Sequence, residues 1–367
     1  MKLAMIPIAF PVLQRLKVKH SNALILKSIG NNSLTFLESL SINGIVELES
    51  LPLHILQPKL KFLKIWGCRR FHGFLRNEET GISVAPNHSF EKSISLWELK
   101  VQCSKEWMSL SEDLLCIKEL KKLKIGWFSE EPYLFLFSIE QRDSISSLKR
   151  LGILEIDGCS NVKYPPQQLQ HLSMLTHLVL SNMGTEMEAL PEWLVNLSSL
   201  QSLVIMNCRG LVYLLRQEEG MRRFTGLRYL KIVRISEEPD VFLSEAQGIQ
   251  HLSSLTELEI HGWPNLESLP RQLQHLTNLS ELRIENFDGL ESLPEWLGNL
   301  SSLYILWISS CKNLMHLPSK KTMLSLTTLE RLYIFDCPLL EERCTFKTGE
   351  EWEKISHIEN VSFRWEF

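Results

Sequence analysis

The chain has 367 residues, 44% of them hydrophobic, with 39 Lys and Arg against 43 Asp and Glu for a net charge of -4. That balance excludes the broad basic footprint that phosphate-backbone binding requires, so nucleic acid is not expected as a partner. Charged residues interrupt every Leu-rich stretch well short of the about 18 apolar residues that a membrane span takes, and no span is predicted.

In chain order, Met1 to Leu13 comes first, with Lys2 ahead of an apolar run that mimics a secretory leader. Pro7 and Pro11 break that run, no small-x-small cleavage site follows, and Leu13, Leu16 and Val18 already fit a pattern that continues to the other end. The pattern is LxxLxL, with Ile or Val allowed at the last place. Its first Leu stands at 13, 37, 60, 96, 120, 151, 175, 200, 227, 255, 279, 303 and 329. All but two of the spacings lie between 23 and 28 residues, the period of leucine-rich repeats.

Each LxL predicts a short strand with two apolar side chains on one side and the residue between them on the other. One such strand cannot bury its own face. Stacked in parallel, each coil covers the next and a single leucine core runs along the array. The expected fold is therefore an α/β solenoid, a leucine-rich-repeat horseshoe with a parallel inner β-sheet and an irregular, short-helical convex side. Residues 1–367 are expected to form one array of about 13 repeats.

Two long spacings predict loops near 69–94 and 126–147, rich in Gly, Pro and charge. The fullest copies begin at Leu255, Leu279 and Leu303. There Leu266 and Leu269 precede Pro270, Leu290 and Leu293 precede Pro294, and Leu314 and Leu317 precede Pro318. Proline removes a backbone donor and blocks regular structure, so short helical turns are expected behind it, with Leu273, Leu276, Leu297 and Leu300 lining the return. At the end, 338–367 is expected to cap the array. Trp352, Ile355 and Ile358 form a helix-like apolar face, and Val361 and Phe363 add a closing strand.

Candidate chemistry is sparse. No GxxxxGK[ST] loop, HExxH or GxSxG occurs, and the chain is not expected to be an enzyme. The eight cysteines include no CxxC pair or zinc-type Cys/His spacing, so no metal or other cofactor is expected, and a chain with this much Leu core does not need disulfides. Cys68, Cys159, Cys208, Cys311 and Cys337 stand eight residues past the first Leu and Cys103 seven past, where other copies carry Met183, Trp263 or Phe287. That exchange marks a buried apolar position, not a nucleophile. Asn161, Asn265 and Asn313 are expected as buried turn residues bonded to neighbouring backbone. His171, His251 and His275 occupy related return positions and read as solvated scaffold. NxS sequons occur at Asn31, Asn87, Asn196, Asn278, Asn299 and Asn360, and the three "NLS" copies among them belong to the leucine template.

Function is expected on the strand residues that face away from the core. Arg15, Lys17, Lys19, Lys64, Lys122 and Lys124 make the early copies basic. Glu155, Asp157, Glu257, Glu259, Glu281 and Glu285 make the later ones acidic, with Arg283 among them. Trp307, Arg331, Tyr333 and Phe335 add aromatic and Arg side chains of the kind that anchor protein interfaces.

The phrases "LESLPEWLGNLSSLYILWISSCKNLMHLPS" (Leu290 to Ser319) and, more specifically, "LERLYIFDCPLLEERCTFKTGEEWEKISHI" (Leu329 to Ile358) resemble the C-terminal repeats of plant nucleotide-binding leucine-rich-repeat disease-resistance proteins of the coiled-coil class. The resemblance spans essentially the whole chain and is less regular over the first 130 residues. It implies a cytoplasmic immune receptor whose repeats sense a pathogen effector or a guarded host protein and restrain a nucleotide-binding ATPase module. That module and the N-terminal signalling domain have no counterpart in these residues. Other classes share the repeat: standalone leucine-rich-repeat adaptors, ubiquitin-ligase substrate receptors, for which no F-box-like segment precedes Leu13, and, more remotely, secreted inhibitors, whose GxIP-like phrase is here reduced to LP.

Overall fold

In the computed structural model every one of the thirteen LxxLxL copies forms a strand. The structure describes residues 12–23, 26, 34–52, 56, 59–75, 94–103, 117–127, 148–158, 165, 167–215, 218–234, 248–263 and 265–363. The chain divides into two compact units, Met1–Leu178 and Val179–Phe367.

In the first unit, β1 (Arg15–Lys19), β2 (Ser39–Asn43), β4 (Phe62–Trp66), β6 (Glu98–Cys103), β7 (Lys122–Trp127) and β8 (Ile153–Asp157) are neighbours in that order, all parallel. Their register follows the motif. Leu16, Leu40, Leu63, Leu99, Leu123 and Leu154 stand opposite one another in turn, so each rung's second leucine packs on the next rung's. Behind this sheet β3 (Leu51–Pro52) and β5 (Phe74–Leu75) pair as a second, two-stranded sheet.

The second unit repeats the plan. β9 (His177–Ser181, its first two residues in the first unit) is followed by β10 (Ser202–Met206), β11 (Tyr229–Val233), β12 (Glu257–His261), β13 (Glu281–Glu285), β14 (Ile305–Ser309), β15 (Arg331–Phe335) and β16 (Asn360–Ser362). From β10 onward every pair is parallel and in phase, with Leu203, Leu230, Leu258, Leu282, Leu306 and Leu332 in one row ending on Val361. Leu282, Leu306 and Leu332 are completely buried, as are Ile284, Ile308 and Ile334 in the neighbouring row. Burying each such side chain stabilises the fold by about 1.5–3 kcal/mol, which makes the row the main source of cohesion between rungs.

In eleven of the thirteen copies a turn seven residues past the first Leu closes the strand; in the copies at Leu96 and Leu120 that place, Cys103 and Trp127, is still strand. The turn residues are His20, Gly44, Gly67, Gly158, Asn182, Asn207, Arg234, Gly262, Asn286, Ser310 and Asp336, all with positive φ. The left-handed turn aims its amide at the next rung: Asn207 N–H donates to Val233 O (2.8 Å), Gly262 to Glu285 O (2.9 Å) and Asn286 to Ser309 O (3.1 Å). Gly, Asn, Asp and Ser tolerate this conformation, which accounts for most of the column. One residue further on, Cys68, Cys208, Cys311, Cys337, Trp263, Phe287 and Met183 are all buried, as expected for an apolar position. Cys159 and the Cys103 side chain lie outside the described residues.

The return segments behind Pro270 and Pro294 are short 3-10 turns as expected, Arg271–His275 and Glu295–Asn299, and Glu192–Asn196 follows Pro191 in the same way. Beyond Pro318 the return is an α-helix, Lys320–Ser325, capped by the Ser319 hydroxyl accepting from Thr322 N–H. The end of the chain is sealed by helices Pro338–Arg343 and Trp352–Ile355, with Ile355 and Ile358 buried and β16 closing the sheet. Phe363 lies just past that strand.

Two expectations change. Asn265 and Asn313 are exposed, not buried; Asn313 still donates to Asp288 O (2.8 Å), so the bond to the neighbouring rung forms at the surface. Asn161 is outside the described residues. The expected loops start later than the spacings suggest, because Phe74–Leu75 and Gly126–Trp127 are strand residues. The remainder of both stretches up to 93 and 147, and Met1 to Pro11, fall outside the described residues.

Candidate functional site

On each strand the third, fifth and seventh residues counted from the first Leu face away from the core and form three columns across the rungs. The structure sorts the predicted residues on these columns into three groups.

In the first unit, Arg15, Lys17 and Lys19 on β1 are exposed, and Lys64 on β4 is half-buried with its ammonium 5.8 Å from the centre of the Trp66 ring. Lys122 and Lys124 on β7 face Glu155 and Asp157 on β8. Lys122 Nζ lies 2.8 Å and Lys124 Nζ 3.2 Å from the Glu155 carboxylate, and Lys124 is 3.9 Å from Asp157. Burial alone would raise the Glu155 carboxyl, but the hydrogen bonds and charges of the two lysines hold it below the ordinary carboxylate range. The basic and acidic predictions therefore interlock here instead of separating into opposite ends. Glu98 and Lys100, not singled out from the sequence, extend the network at 2.9 Å from each other and 3.9 Å from Glu98 to Lys122. Trp66 was also missed. Its ring reaches across β6 to β7, where a Cβ on Gly126 would meet it at 2.9 Å, so any larger residue there would have to displace the ring.

In the second unit, Glu259 is the hub of the acidic group. Lys231 Nζ (2.7 Å), His261 Nε2 (3.4 Å) and Arg283 Nε (3.5 Å) surround its carboxylate, which is only 12% exposed. Against the upward pull of burial, these partners lower its carboxyl to about 2. Burial and Glu259 together push the Tyr229 phenol up. Arg283 also bonds Glu281, and His261 Nδ1 lies 2.6 Å from Glu285. Glu259 thus organises the surface from beneath and presents little of itself to a partner. Glu257 is exposed, and burial together with Glu281 on the next rung raises its carboxyl. Tyr229, Lys231 and His261 lie in the same columns as the predicted residues, so the signal that would have found them was the motif itself.

The third group is aromatic. Trp307 on β14 packs against Tyr333 and Phe335 on β15 with ring centroids 4.9 Å away in both cases, and Tyr333 stacks on Phe335 at 6.0 Å. Arg283 lies over the Trp307 ring at 5.1 Å. Trp307 and Tyr333 are half-exposed, whereas Phe335 is 3% exposed. Phe335 therefore belongs under this patch and not on its surface, a correction to the exposed role expected for it, because the Trp307 and Tyr333 rings pack against it. Arg331 is exposed and turns to Tyr304, 5.6 Å from that ring.

Burial pushes the Cys208 thiol up to about 11 and the Cys344 thiol up to about 12, which disfavours their thiolates, whereas the hydrogen bond from Cys311 holds the Cys337 thiol below its ordinary range. Among the described residues no group of three or more His, Cys, Asp and Glu is arranged to hold a metal ion, and no helix is long and apolar enough to cross a membrane. In each unit the outward face is a ladder of side chains on a parallel sheet, suited to contacting a macromolecular face.

A family model described as a leucine-rich repeat region matches residues 133–362. Solved structures similar to this chain include an internalin of Listeria monocytogenes, 16% identical over 94% of this chain and 93% of that one with a TM-score of 0.46. A leucine-rich-repeat protein of Leptospira interrogans is 20% identical over 96% and 90%, TM-score 0.45. A chain of the Drosophila Toll and Spatzle complex is 14% identical over 96% and 50%, TM-score 0.47. No curated protein matches the sequence. With the family model covering more than half of the chain and each of the thirteen motif copies on its own strand, the chain belongs to the leucine-rich repeat region family.

Proposed function

We propose that the chain is the protein-recognition domain of a plant intracellular disease-resistance receptor. In this reading it senses a pathogen effector or a guarded host protein in the cytoplasm and regulates a nucleotide-binding ATPase module. The motif phrases at Leu290 to Ser319 and Leu329 to Ile358 support the receptor class. The same template in both units supports reading 1–367 as one repeat array with its cap at 338–367. One observation carries the recognition role: the half-exposed Trp307 and Tyr333 pair, rings packed together, with Arg283 over it and charged side chains around it. Aromatic and Arg anchors on a pre-ordered backbone lose little entropy on binding and dominate interface energies.

The test is co-expression in plant cells with nucleotide-binding modules of coiled-coil-class resistance proteins, followed by co-precipitation. Association with at least one module class is expected, together with a candidate effector or guarded protein whose capture falls about tenfold or more in Trp307→Ala. If no module associates, the receptor reading fails; if Trp307→Ala captures the same proteins as the wild type, the cluster is not the anchor.

A further inference from the structure

We infer that the open face of β1, β2 and β4 is a docking trough for an acidic, extended segment of a partner protein, an inference that rests on the protein-recognition reading above and names the partner's chemistry. Across these rungs the outward columns read Arg15, Lys17 and Lys19, then Ser39, Ser41 and Asn43, then Phe62, Lys64 and Trp66. The middle rung carries only short polar side chains. Long cationic ones stand on both sides of it, about 10 Å apart at two strand spacings. The register places Lys17, Ser41 and Lys64 in one line, continued by Lys100 on β6 and Lys124 on β7.

The charge of this floor is unbalanced. Lys100, Lys122 and Lys124 have carboxylate partners within 4 Å. Among the described residues, Arg15, Lys17, Lys19 and Lys64 have none, and Lys64 has only the Trp66 ring at 5.8 Å. Serine and asparagine groups along the floor supply hydrogen bonds to carboxylate oxygens, and exposed Phe62 with Trp66 supplies apolar contact for the intervening side chains. A nucleic acid strand fits less well. Its phosphates would continue along the columns onto β6, β7 and β8, where Glu98, Glu155 and Asp157 already neutralise Lys100, Lys122 and Lys124 and leave little net positive charge for a longer backbone. A short acidic peptide segment needs only the track of β1, β2 and β4.

The test uses the full chain and a fluorescein-labelled peptide of alternating Glu and Ser, read by fluorescence anisotropy at low salt. Binding is expected, weakening as salt rises. The double variant Lys17→Glu, Lys64→Glu should bind about tenfold or more weaker. Ser41→Asp, which puts a carboxylate on the trough floor between buried Leu40 and Ile42, should lose affinity in the same direction with an unchanged thermal melt. Lys320→Glu, exposed on a return helix, should bind as the wild type does. The inference is overturned if a Lys and Ser peptide or a single strand of oligothymidine binds as tightly as the Glu and Ser peptide, or if neither trough variant changes its affinity. The assay uses neither the Trp307 cluster nor a nucleotide-binding module, so its failure leaves the receptor reading standing, and failure of that reading leaves the peptide result standing.

Discussion

Glu351 offers the sharpest test of how the array is closed. The residue is 3% exposed, and its carboxylate accepts from Leu317 N–H (2.9 Å), Lys354 Nζ (2.7 Å) and His316 (3.4 Å). Lys354 also donates to Leu317 O at 3.1 Å, so one carboxylate and one ammonium satisfy both backbone groups of a residue whose side chain is in the core. Glu351→Ala strands a buried amide, at about 1–3 kcal/mol, and removes the partner of a cation that is itself only 23% exposed. We expect a total loss of about 2–4 kcal/mol. Because a repeat array is held together by neighbour contacts, the loss should appear as local opening of the last repeats. Hydrogen exchange is the assay: amides of β15 and β16 should lose protection while those of β10 and β11 keep theirs. Burial raises the Glu351 carboxyl, but Lys354, Leu317 N–H and His316 outweigh it, and the folded-state value is below the ordinary one. The sign follows directly. The stabilisation is full above the unfolded carboxyl's range and is lost as pH falls through the lowered folded value, so Glu351→Gln should flatten the acid limb of the stability profile. Uniform loss of protection along the second unit, or none at β15 and β16, would refute the reasoning.

Leu282→Ala, at a fully buried position of the shared row, should cost about 3–5 kcal/mol in urea unfolding, whereas Glu281→Ala beside it should cost under about 1 kcal/mol. Asn286 has φ 61°, so a β-branched residue there is strained: Asn286→Val should destabilise by about 1–2 kcal/mol and Asn286→Gly by only a few tenths, by thermal melts. Lys124→Glu sets like charges beside Glu155 and Asp157. It should lower stability by up to about 1 kcal/mol at low salt and by less at high salt, and a salt-independent effect would point to packing instead of charge.

The sequence by itself determined the strands, their order and which side of each is buried, because a two-residue period with leucines at fixed places admits one register per rung; a slip by one residue would turn Leu258 and Ile260 outward. It also determined that Cys208, Cys311 and Trp263 are interchangeable core fillers. The left-handed column from His20 to Asp336 is mostly Gly, Asn, Ser and Asp, with His20 and Arg234 among them, and its role appears only in the structure, where amides such as those of Asn207, Gly262 and Ser310 reach the next rung. Tertiary structure alone decided how the outward residues meet. Lys122 and Glu155 are 33 positions apart in the chain and 2.8 Å apart in space, and Glu259 is ringed by partners from three rungs. Phe335 is buried because two rings lie over it. Periodicity fixes which direction a side chain leaves the strand, but the rotamers and reach of long charged and aromatic chains depend on neighbours a full repeat away, which only the packed array brings together.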